Sequence, residues 1–196
     1  MFYIVGLGNP GDQYKNTRHN VGRSFLETWS AAQGYDWNKS APAQALYAHA
    51  ALGDTSVELV LPETFMNRSG ETLKYYVEKH AATIDQFIVL HDDIDLALGE
   101  IKISRGRGDG GNNGVRSIIE HLGSKDFVRV RIGIAPRHWW TGEVKRPAGG
   151  GALERYVLQP FTRREQARVA ELEPQITTTL EEVVKNGPEA AMNRFN

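Results

Sequence analysis

The chain has 196 residues, of which 40% are hydrophobic and 24% charged, values that fit one globular domain with a substantial core. It contains no cysteine, which excludes disulfides, thiolate metal sites and a cysteine nucleophile. The net charge of −1 at pH 7 argues against a strongly basic nucleic-acid binder. No apolar run approaches about 18 residues, and the chain opens on a predicted strand rather than a targeting signal, so a cytoplasmic protein with no membrane span is expected.

The first half of the chain alternates predicted strands with predicted helices. Residues 2–7 (FYIVGL) read as a short buried strand. Apolar residues then recur at helical spacing from Val21 to Trp29, with Asn20 as a candidate N-cap and Gly34 as a C-terminal stop. The elements predicted next are strands over 45–52 and 57–62, joined by a turn, and a helix that runs to about Lys79.

The second half continues this alternation and ends in helices. Its predicted elements are strands over 87–93, 101–104 and 127–135, a helix over 115–122, and a helical stretch over 162–185 followed by a short helix. Pro174 is expected to kink or split the long stretch, and the segment 137–151 is predicted to be an irregular, flap-like loop. The alternation predicts an α/β fold, a single domain over residues 1–196 with a mixed, mainly parallel twisted sheet flanked by helices in three layers.

The stretch GLGNPG (6–11) matches the G-x-G-x-x-G pattern of dinucleotide-binding turns. In such turns the last glycine opens a helix whose N-terminus holds the pyrophosphate. Here the polar stretch DQYKNTRHN follows instead, and the predicted helix begins only after Asn20. A nucleotide-dependent oxidoreductase is therefore disfavoured, and the polar loop itself is the better candidate site.

Four segments place polar side chains where predicted strands end or predicted helices begin. They hold Asn9, Tyr14, His19 and Asn20 in the first loop, Met66 and Asn67 in TFMNRSG, Asp92, Asp93 and Asp95 after the strand over 87–93, and Asn112 and Asn113 in GDGGNNG. If the strands are parallel neighbours, all four segments meet at one edge of the sheet. There the amides would hold a peptide and stabilise an oxyanion, and a histidine oriented by an aspartate would take a proton from water.

Other interpretations of these residues stay open from the sequence. Each asparagine has a structural alternative, as a turn residue at Asn9, a helix cap at Asn67 and a left-handed residue at Asn113. His19 can equally be an ordinary surface or capping histidine. The acids that follow the strand over 87–93 could bind a metal ion, but the chain has no H-E-x-x-H or H-x-H motif, so no metal site is predicted. It also lacks a G-x-S-x-G elbow for a serine nucleophile.

Positive charge concentrates between Glu100 and Arg146. This stretch holds ten Lys and Arg residues against five Asp and Glu residues, an excess of five. A local basic face attracts phosphates, although the same residues can form an ordinary solvated surface. Trp139 and Trp140, in the same stretch, either stack on an exposed base or ribose or pack back against the core.

The stretches GLGNPGDQYKNTRHNVG, TFMNRSG, VLHDDIDL, GGNNG, RIGIA and YVLQPF occur in this order over nearly the whole chain. In order and spacing they resemble the bacterial-type peptidyl-tRNA hydrolases. The resemblance implies an enzyme that cleaves the ester between a peptide and the 3′-terminal ribose of tRNA, and so recycles tRNA for translation. It further implies a monomer that uses no metal and no nucleotide cofactor.

The resemblance also implies a role for each matching residue. His19 is the base that activates water, and Asp92 is the acid that orients it. The amides that position the peptide and stabilise the intermediate are Asn9, Asn67 and Asn113. Substrate binding is assigned to Tyr14, Met66, Asn20, Asn112, Lys102, Arg105 and Arg131, with Lys102 and Arg131 against the phosphates of the acceptor stem.

The glycine-rich turn departs from the family's usual G-G-H-N-G, because Asn112 stands where a histidine is usual. This departure bears on substrate handling and leaves His19, Asp92 and Asn113 in place. The segment 137–151 is also longer and more aromatic than is usual. A non-catalytic RNA-binding module of the same fold is the alternative function, and loss of the histidine or the aspartate would mark it.

Overall fold

A computed structural model describes residues 1–147 and 151–196. Within them the chain forms seven strands: β1 Phe2–Gly6, β2 Asn38–Ser40, β3 Ala45–Leu52, β4 Thr55–Pro62, β5 Phe87–Ala97, β6 Ile101–Ser104 and β7 Val128–Ala135. The same residues form seven α-helices: α1 Val21–Gln33, α2 Ser69–His80, α3 Asn113–Leu122, α4 Ala152–Val157, α5 Arg163–Ala170, α6 Glu173–Asn186 and α7 Pro188–Phe195. None of these helices, in the part of the chain that is described, is long and apolar enough to cross a membrane.

The strands join one mixed sheet in the order β2-β3-β4-β1-β5-β7-β6. Strand β1 lies parallel between β4 and β5, and β5 pairs in parallel with β7. Strands β2, β3 and β6 run antiparallel to their neighbours at the two sides. The carboxyl ends of β4, β1, β5 and β7 therefore meet at one edge of the sheet, which is where ligands bind in open α/β folds.

Alternation along the central strands separates two apolar cores. Ile4, Ile88 and Leu90 belong to the core under α1 and α6, whereas Val5 and Val89 belong to the core under α2 and α3. Successive side chains of a strand point to opposite faces of the sheet, so helices are needed on both. The three-layer α/β domain predicted from the sequence is confirmed.

Two glycines allow helices to approach their neighbours closely. A Cβ atom on Gly22 would lie 2.2 Å from the backbone oxygen of Leu90, and one on Gly70 would lie 2.2 Å from the backbone oxygen of Ser117. Only a residue without a side chain fits at these distances. Because Gly22 follows closely after His19, the contact between α1 and β5 fixes where His19 lies above the sheet.

The helices of the C-terminal region agree with the sequence. The long helical stretch is split into α5 and α6, with Pro174 in the first turn of α6, where its missing N–H is tolerated. Gly34 ends α1 in a left-handed conformation with φ of 73°, as predicted. Of the segment predicted to be irregular, residues 148–150 lie outside the described residues, and α4 begins at Ala152, directly after the segment.

Two expectations about strand ends are wrong. The strand predicted over 87–93 continues to Ala97, so the three acids lie within β5 rather than after it. The turn GDGGNNG was expected at the carboxyl end of a parallel strand. Strand β6 is antiparallel to β7, so residues 105–112 return from the opposite edge of the sheet before α3 begins. The short polar strand β2 was not predicted, because three residues of sequence NKS show no apolar alternation.

Candidate active site

His19 and Asp92 form the centre of the candidate site. His19 lies in the 3-10 turn Arg18–Asn20 between β1 and α1, and Asp92 lies on β5. Nδ1 of His19 is 2.9 Å from Oδ1 of Asp92, and both residues are buried. When Nδ1–H donates to the carboxylate, Nε2 of the neutral imidazole carries the lone pair. This is the arrangement of a histidine base oriented by an acid.

The surroundings of His19 act on its pKa in opposite directions. Burial lowers the pKa of the imidazole, but the charge of Asp92 and the hydrogen bond to it raise the pKa by more, so the net shift is upward from 6.5. A raised pKa makes the neutral imidazole a stronger base. It also means that the neutral form is reached only at a higher pH than for a free histidine.

The side chain of Arg18 links two parts of the chain: the turn that carries His19 and the residues that follow α4. Its Nη2 donates to both carboxylate oxygens of Glu165 at 2.9 Å, and its Nη1 donates to the carbonyl oxygens of Gln159 and Pro160 at 3.2 Å. The Arg18 side chain is almost fully buried. These bonds hold the histidine turn against the segment that follows α4. Leu153, Glu154 and Val157 of α4 line the same cavity as His19.

Asn9 presents an amide donor to the site. Its Oδ1 accepts from the backbone N–H of Met66 at 2.8 Å, which sets the orientation of the amide. Its backbone is held by Asn20, whose Oδ1 accepts from the N–H of Asn9 and whose Nδ2 donates to the carbonyl oxygen of Asn9, both at 2.9 Å. Nδ2 of Asn9 has no hydrogen-bond partner among the described residues. It is therefore available to a bound oxyanion.

Asn20 lies behind Asn9 rather than in contact with the cavity. It is buried, and both polar atoms of its side chain bond the backbone of Asn9. Asn20 is the N-cap residue of α1, as predicted, but its side chain makes no cap hydrogen bond because both of its polar atoms bond the backbone of Asn9.

Asn112, like His19, contacts the carboxylate of Asp92. It is the N-cap residue of α3, and its Oδ1 accepts from the N–H groups of Gly114 and Val115 at 3.0 and 3.1 Å. Its Nδ2 donates to Oδ1 of Asp92 at 2.7 Å. The oxygen of Asp92 that accepts from His19 thus accepts from Asn112 as well.

These side chains line a cavity of about 680 Å³ at the carboxyl edge of the sheet. The predicted site residues in its lining are Asn9, His19, Met66, Asn67, Asp92, Asn112 and Asn113. The volume is in the range of small-ligand sites. Tyr14 is outside the lining, but its ring centroid lies 6.3 Å from that of Phe65, which is part of the rim.

The acids of β5 have separate partners. Asp93 pairs with Arg131 at 2.6 Å and Asp95 pairs with Arg146 at 3.2 Å, whereas Asp92 bonds His19. In residues 1–147 and 151–196, no group of three or more His, Asp or Glu side chains is arranged to hold a metal ion. The three acids therefore do not converge on one point.

A second cavity, of about 470 Å³, adjoins the first. Its lining includes the basic side chains of Lys102, Arg105, Arg107, Arg129 and Arg131. The two cavities share Asp93, Asp109 and Gly110. The structure thus brings Lys102, Arg105 and Arg131 together, beside the cavity of His19 rather than within it.

Arg107 and Arg129 line this second cavity but were not predicted as site residues from the sequence, and Arg129 is the buried one. Its side chain is buried, and its Nη1 donates to the carbonyl oxygen of Gly108 at 2.8 Å. Nε and Nη2 are buried and have no partner among the described residues. Burial lowers the pKa of the guanidinium, as does the charge of Arg131. The alternation in FVRVRIGIA puts both arginines on one face of β7, and that signal could have found Arg129.

Ion pairs neutralise part of the positive charge that the sequence concentrates between Glu100 and Arg146. Those that engage its arginines join Arg105 to Glu189, Arg116 to Asp109, Arg131 to Asp93, Arg137 to Glu100 and Arg146 to Asp95. Within the described part of the chain, Lys102, Arg107 and Arg129 have no salt bridge, and all three line the second cavity. Lys125 and Lys145 also have no salt bridge among the described residues and lie outside this lining, so three of the five unpaired basic residues of the stretch line the second cavity.

Trp139 and Trp140 do not pack against the core. They are 85% and 77% exposed, and their ring centroids are 5.0 Å apart in an edge-to-face arrangement. The segment that carries them is tied to the edge of the first cavity by Arg146, which pairs with Asp95 and approaches Gly111. The two indoles are thus an exposed aromatic pair that lines neither cavity.

A family model described as Peptidyl-tRNA hydrolase matches residues 3–196. The chain belongs to the peptidyl-tRNA hydrolase family. A peptidyl-tRNA hydrolase from Clostridium beijerinckii is 35% identical to it over 196 residues, which cover 100% of this chain and 96% of the relative. One from Alkaliphilus metalliredigens is 38% identical and covers 100% of both chains. The crystal structure of the peptidyl-tRNA hydrolase from Acinetobacter baumannii superposes with a TM-score of 0.87 at 28% identity, over 100% of this chain and 94% of that one.

Membership of the peptidyl-tRNA hydrolase family confirms the resemblance inferred from the motifs. It identifies the protein as an enzyme of the hydrolase class and decides against the oxidoreductase alternative. The loop after β1 agrees, because 3-10 turns fill the space between the glycines and α1 where a dinucleotide site needs a helix N-terminus.

Proposed function

We propose that this protein hydrolyses the ester between the peptide and the 3′-terminal ribose of peptidyl-tRNA, releasing peptide and tRNA. The His19–Asp92 pair, with Nδ1 and Oδ1 2.9 Å apart, supports this most directly. The pair lies in a cavity that also holds the amides of Asn9, Asn67 and Asn113. A histidine base suits the activation of water, and neutral amides suit a peptide backbone and a developing oxyanion.

In the proposed reaction, Nε2 of His19 takes a proton from water as the water oxygen bonds to the ester carbonyl carbon. The charge that develops on the carbonyl oxygen accepts hydrogen bonds from Nδ2 of Asn9 and from the exposed amides of Asn67 and Asn113. The tetrahedral intermediate then breaks its bond to the ribose oxygen, which takes the proton from His19. Asp92 stabilises the imidazolium that exists between these two steps.

The groups in the cavity are sufficient for an ester. General-base assistance contributes about 10²–10⁴-fold to a rate. One well-placed oxyanion donor contributes about 10²–10³-fold. A histidine base and amide donors supply the assistance that this ester hydrolysis needs, so the proposed enzyme uses no metal and no nucleotide cofactor. One chain supplies every group named here, which supports a monomeric enzyme.

The second cavity receives phosphates of the tRNA acceptor stem. It adjoins the first cavity, so an acceptor stem bound there would lead its 3′ end toward His19. Lys102 and Arg107 supply charge at its wall, and Arg129 offers buried N–H groups that have no partner within the described residues. Contacts of this kind depend on phosphates and not on sequence, as an enzyme that accepts many tRNAs requires.

The segment that carries Trp139 and Trp140 acts as a flap beside the tRNA. Exposed indoles suit stacking on unpaired bases, and stacking accepts any base. The ion pair between Arg146 and Asp95 anchors this segment to the edge of the peptide cavity. In this proposal the aromatic pair stacks on the unpaired 3′ end of the tRNA.

Release of an N-acetylated amino acid from its tRNA tests the proposal directly. Wild type and His19→Ala are compared in the presence of EDTA, with tRNA affinity measured in parallel. We expect wild type to release the amino acid, and His19→Ala to lose at least about 10²-fold in turnover while it retains tRNA affinity, because the base and not a phosphate contact is removed. Wild type that binds tRNA but releases nothing would reject hydrolysis in favour of a non-catalytic RNA-binding module.

A further inference from the structure

We infer that Asn112 is a positioning residue, which holds Asp92 in place for His19 and does not itself bind the substrate. The inference rests on the proposed function, since it concerns the same catalytic pair. It also corrects the assignment of Asn112 to substrate binding that the resemblance implied.

The orientation of the Asn112 amide follows from its two sets of partners. Oδ1 accepts from the N–H groups of Gly114 and Val115, which are donors and can only face an oxygen. The NH₂ group therefore points the other way, where Nδ2 lies 2.7 Å from Oδ1 of Asp92 and 3.3 Å from its backbone oxygen. A flipped amide would place oxygen against oxygen and leave two helix N–H groups without an acceptor.

This arrangement leaves Asn112 little capacity for a substrate. The residue is 7% exposed, Oδ1 serves the helix cap and Nδ2 serves the acid. Asn113, the next residue, is exposed and makes no side-chain hydrogen bond among the described residues. The two adjacent asparagines therefore differ in role, one building the site and the other facing the ligand.

Asn112 couples the start of α3 to the catalytic pair. Oδ1 of Asp92 accepts from Asn112 at 2.7 Å and from Nδ1 of His19 at 2.9 Å, so the position of α3 determines where the acid meets the imidazole. An amide does not ionise, and its donor stays in place over the pH range in which His19 changes charge. The other titratable groups around the pair are Arg18 on the histidine turn, His91 and Asp93 on β5, Asp109 in the loop before α3, and Glu154 on α4. Burial lowers the pKa of His91, which favours its neutral form.

Two substitutions distinguish the helix cap made by Oδ1 of Asn112 from the hydrogen bond that its Nδ2 donates to Asp92. Asn112→Ser retains an oxygen that caps α3 but is too short to reach Asp92 at the same time, and Asn112→Asp retains both the cap and the shape but turns the donor into an acceptor. Asn112→Ala, which removes cap and donor together, is the control for stability. The readouts are kcat and KM for N-acetyl-aminoacyl-tRNA, the pH profile of kcat and the melting temperature.

We expect kcat to fall about 10-fold in Asn112→Ser, because Asp92 loses the hydrogen bond from Nδ2. We expect kcat to fall about 100-fold in Asn112→Asp, because Asp92 then faces a like charge. In both variants KM stays within about twofold of wild type. In Asn112→Ser, the acid limb of the kcat profile moves to higher pH, since Asp92 then interacts with His19 alone. Asn112→Ser melts near the wild-type temperature, and Asn112→Ala melts about 2–4 °C lower because it loses a cap. Asn112→Asp also melts below wild type, because it buries a second carboxyl group against Asp92.

Two results would overturn the inference. A raised KM with unchanged kcat in Asn112→Ser would make Asn112 a substrate contact. An unchanged kcat, KM and pH profile, with only the melting temperature responding in Asn112→Ala, would make it a helix cap and nothing more.

An NMR titration of the His19 ring nitrogens separates this inference from the proposed function, because it needs no substrate. If Asn112 supports Asp92, the pKa of His19 in Asn112→Ser lies above that of wild type. The same pKa in both proteins would reject the inference, even where hydrolysis is confirmed. Wild type that fails to hydrolyse would reject the proposed function, while the titration would still decide the role of Asn112.

Discussion

His19 combines two requirements that oppose each other. In the general-base role that we propose, His19 has to be neutral, yet the charge and the hydrogen bond of Asp92 outweigh burial and shift its pKa upward from 6.5. A folded-state pKa above the unfolded value contributes stability that is fully present below about pH 6.5 and is lost as the pH rises through the folded pKa. The pair therefore stabilises the fold most at pH values where His19 is protonated and cannot act as a base.

Asp92→Asn tests how the charge of Asp92 controls the pKa of His19. The substitution keeps the shape but removes the charge that raises the pKa of His19, so we expect kcat at pH 7 to fall about 10²–10⁴-fold because the imidazolium and its tautomer are no longer stabilised. The acid limb of the residual activity is expected at lower pH than in wild type. A pH–rate profile of both proteins measures this, and an unmoved acid limb would show that Asp92 does not control the protonation of His19.

Among the secondary-structure elements, the contact between α1 and β5 does most to position the site. The helix reaches the strand at Gly22, where a Cβ atom would lie 2.2 Å from the backbone oxygen of Leu90. His19 comes just before this helix and Asp92 comes just after Leu90 on the strand. The distance between the catalytic pair therefore depends on how closely the helix and the strand pack.

Gly22→Ala is expected to push α1 away from β5. Overpacking against a backbone atom costs about 3 kcal/mol at the upper end of its usual range, which lowers the melting temperature by about 6–12 °C in a protein of this size. Turnover is expected to fall as well, since the turn with His19 moves with the helix. Thr28→Ala, at an exposed position of the same helix, is the control and should change stability by less than about 0.5 kcal/mol. Equal stability of the two variants would contradict the close packing.

At the scale of the whole molecule, the site consists of two adjoining cavities, for which we propose different roles. The first holds the histidine, the aspartate and the amides, and the second holds the basic side chains. Turnover and tRNA affinity are therefore expected to respond to different substitutions. The net charge of −1 does not indicate the basic cavity, because its positive charge is local and ion pairs neutralise part of it.

The salt dependence of tRNA binding separates the two kinds of proposed contact. Lys102→Ala removes a phosphate contact, so it should reduce the slope of log K against log salt by about 1 and raise KM with little change in kcat. Trp139→Ala removes a stacking platform, so it should weaken binding by about 1–3 kcal/mol without a change of slope. Lys39→Ala, on β2 at the opposite side of the sheet from β6, is the matched control. The same slope for Lys102→Ala and wild type would remove Lys102 from the phosphate site.

Local patterns in the sequence were sufficient for the fold class, the order of most elements and the family. Apolar alternation and helical spacing are properties of neighbouring residues, and the motifs that carry His19, Asp92 and Asn113 are short. The strand ends were predicted less well, because the direction of β6 depends on its pairing with β7 and not on its own four residues.

The sequence by itself determined which chemical groups this protein has, and the tertiary structure decided which of them remain available. Asn9, Asn20, Asn112 and Asn113 are the same residue type in similar polar loops, yet only Asn9 and Asn113 keep donors that no other described residue uses. The buried arginine of the second cavity and the exposed indoles were likewise decided by packing. The physical reason is that hydrogen-bond partners come from distant positions, since 73 residues separate His19 from Asp92 and 20 separate Asp92 from Asn112.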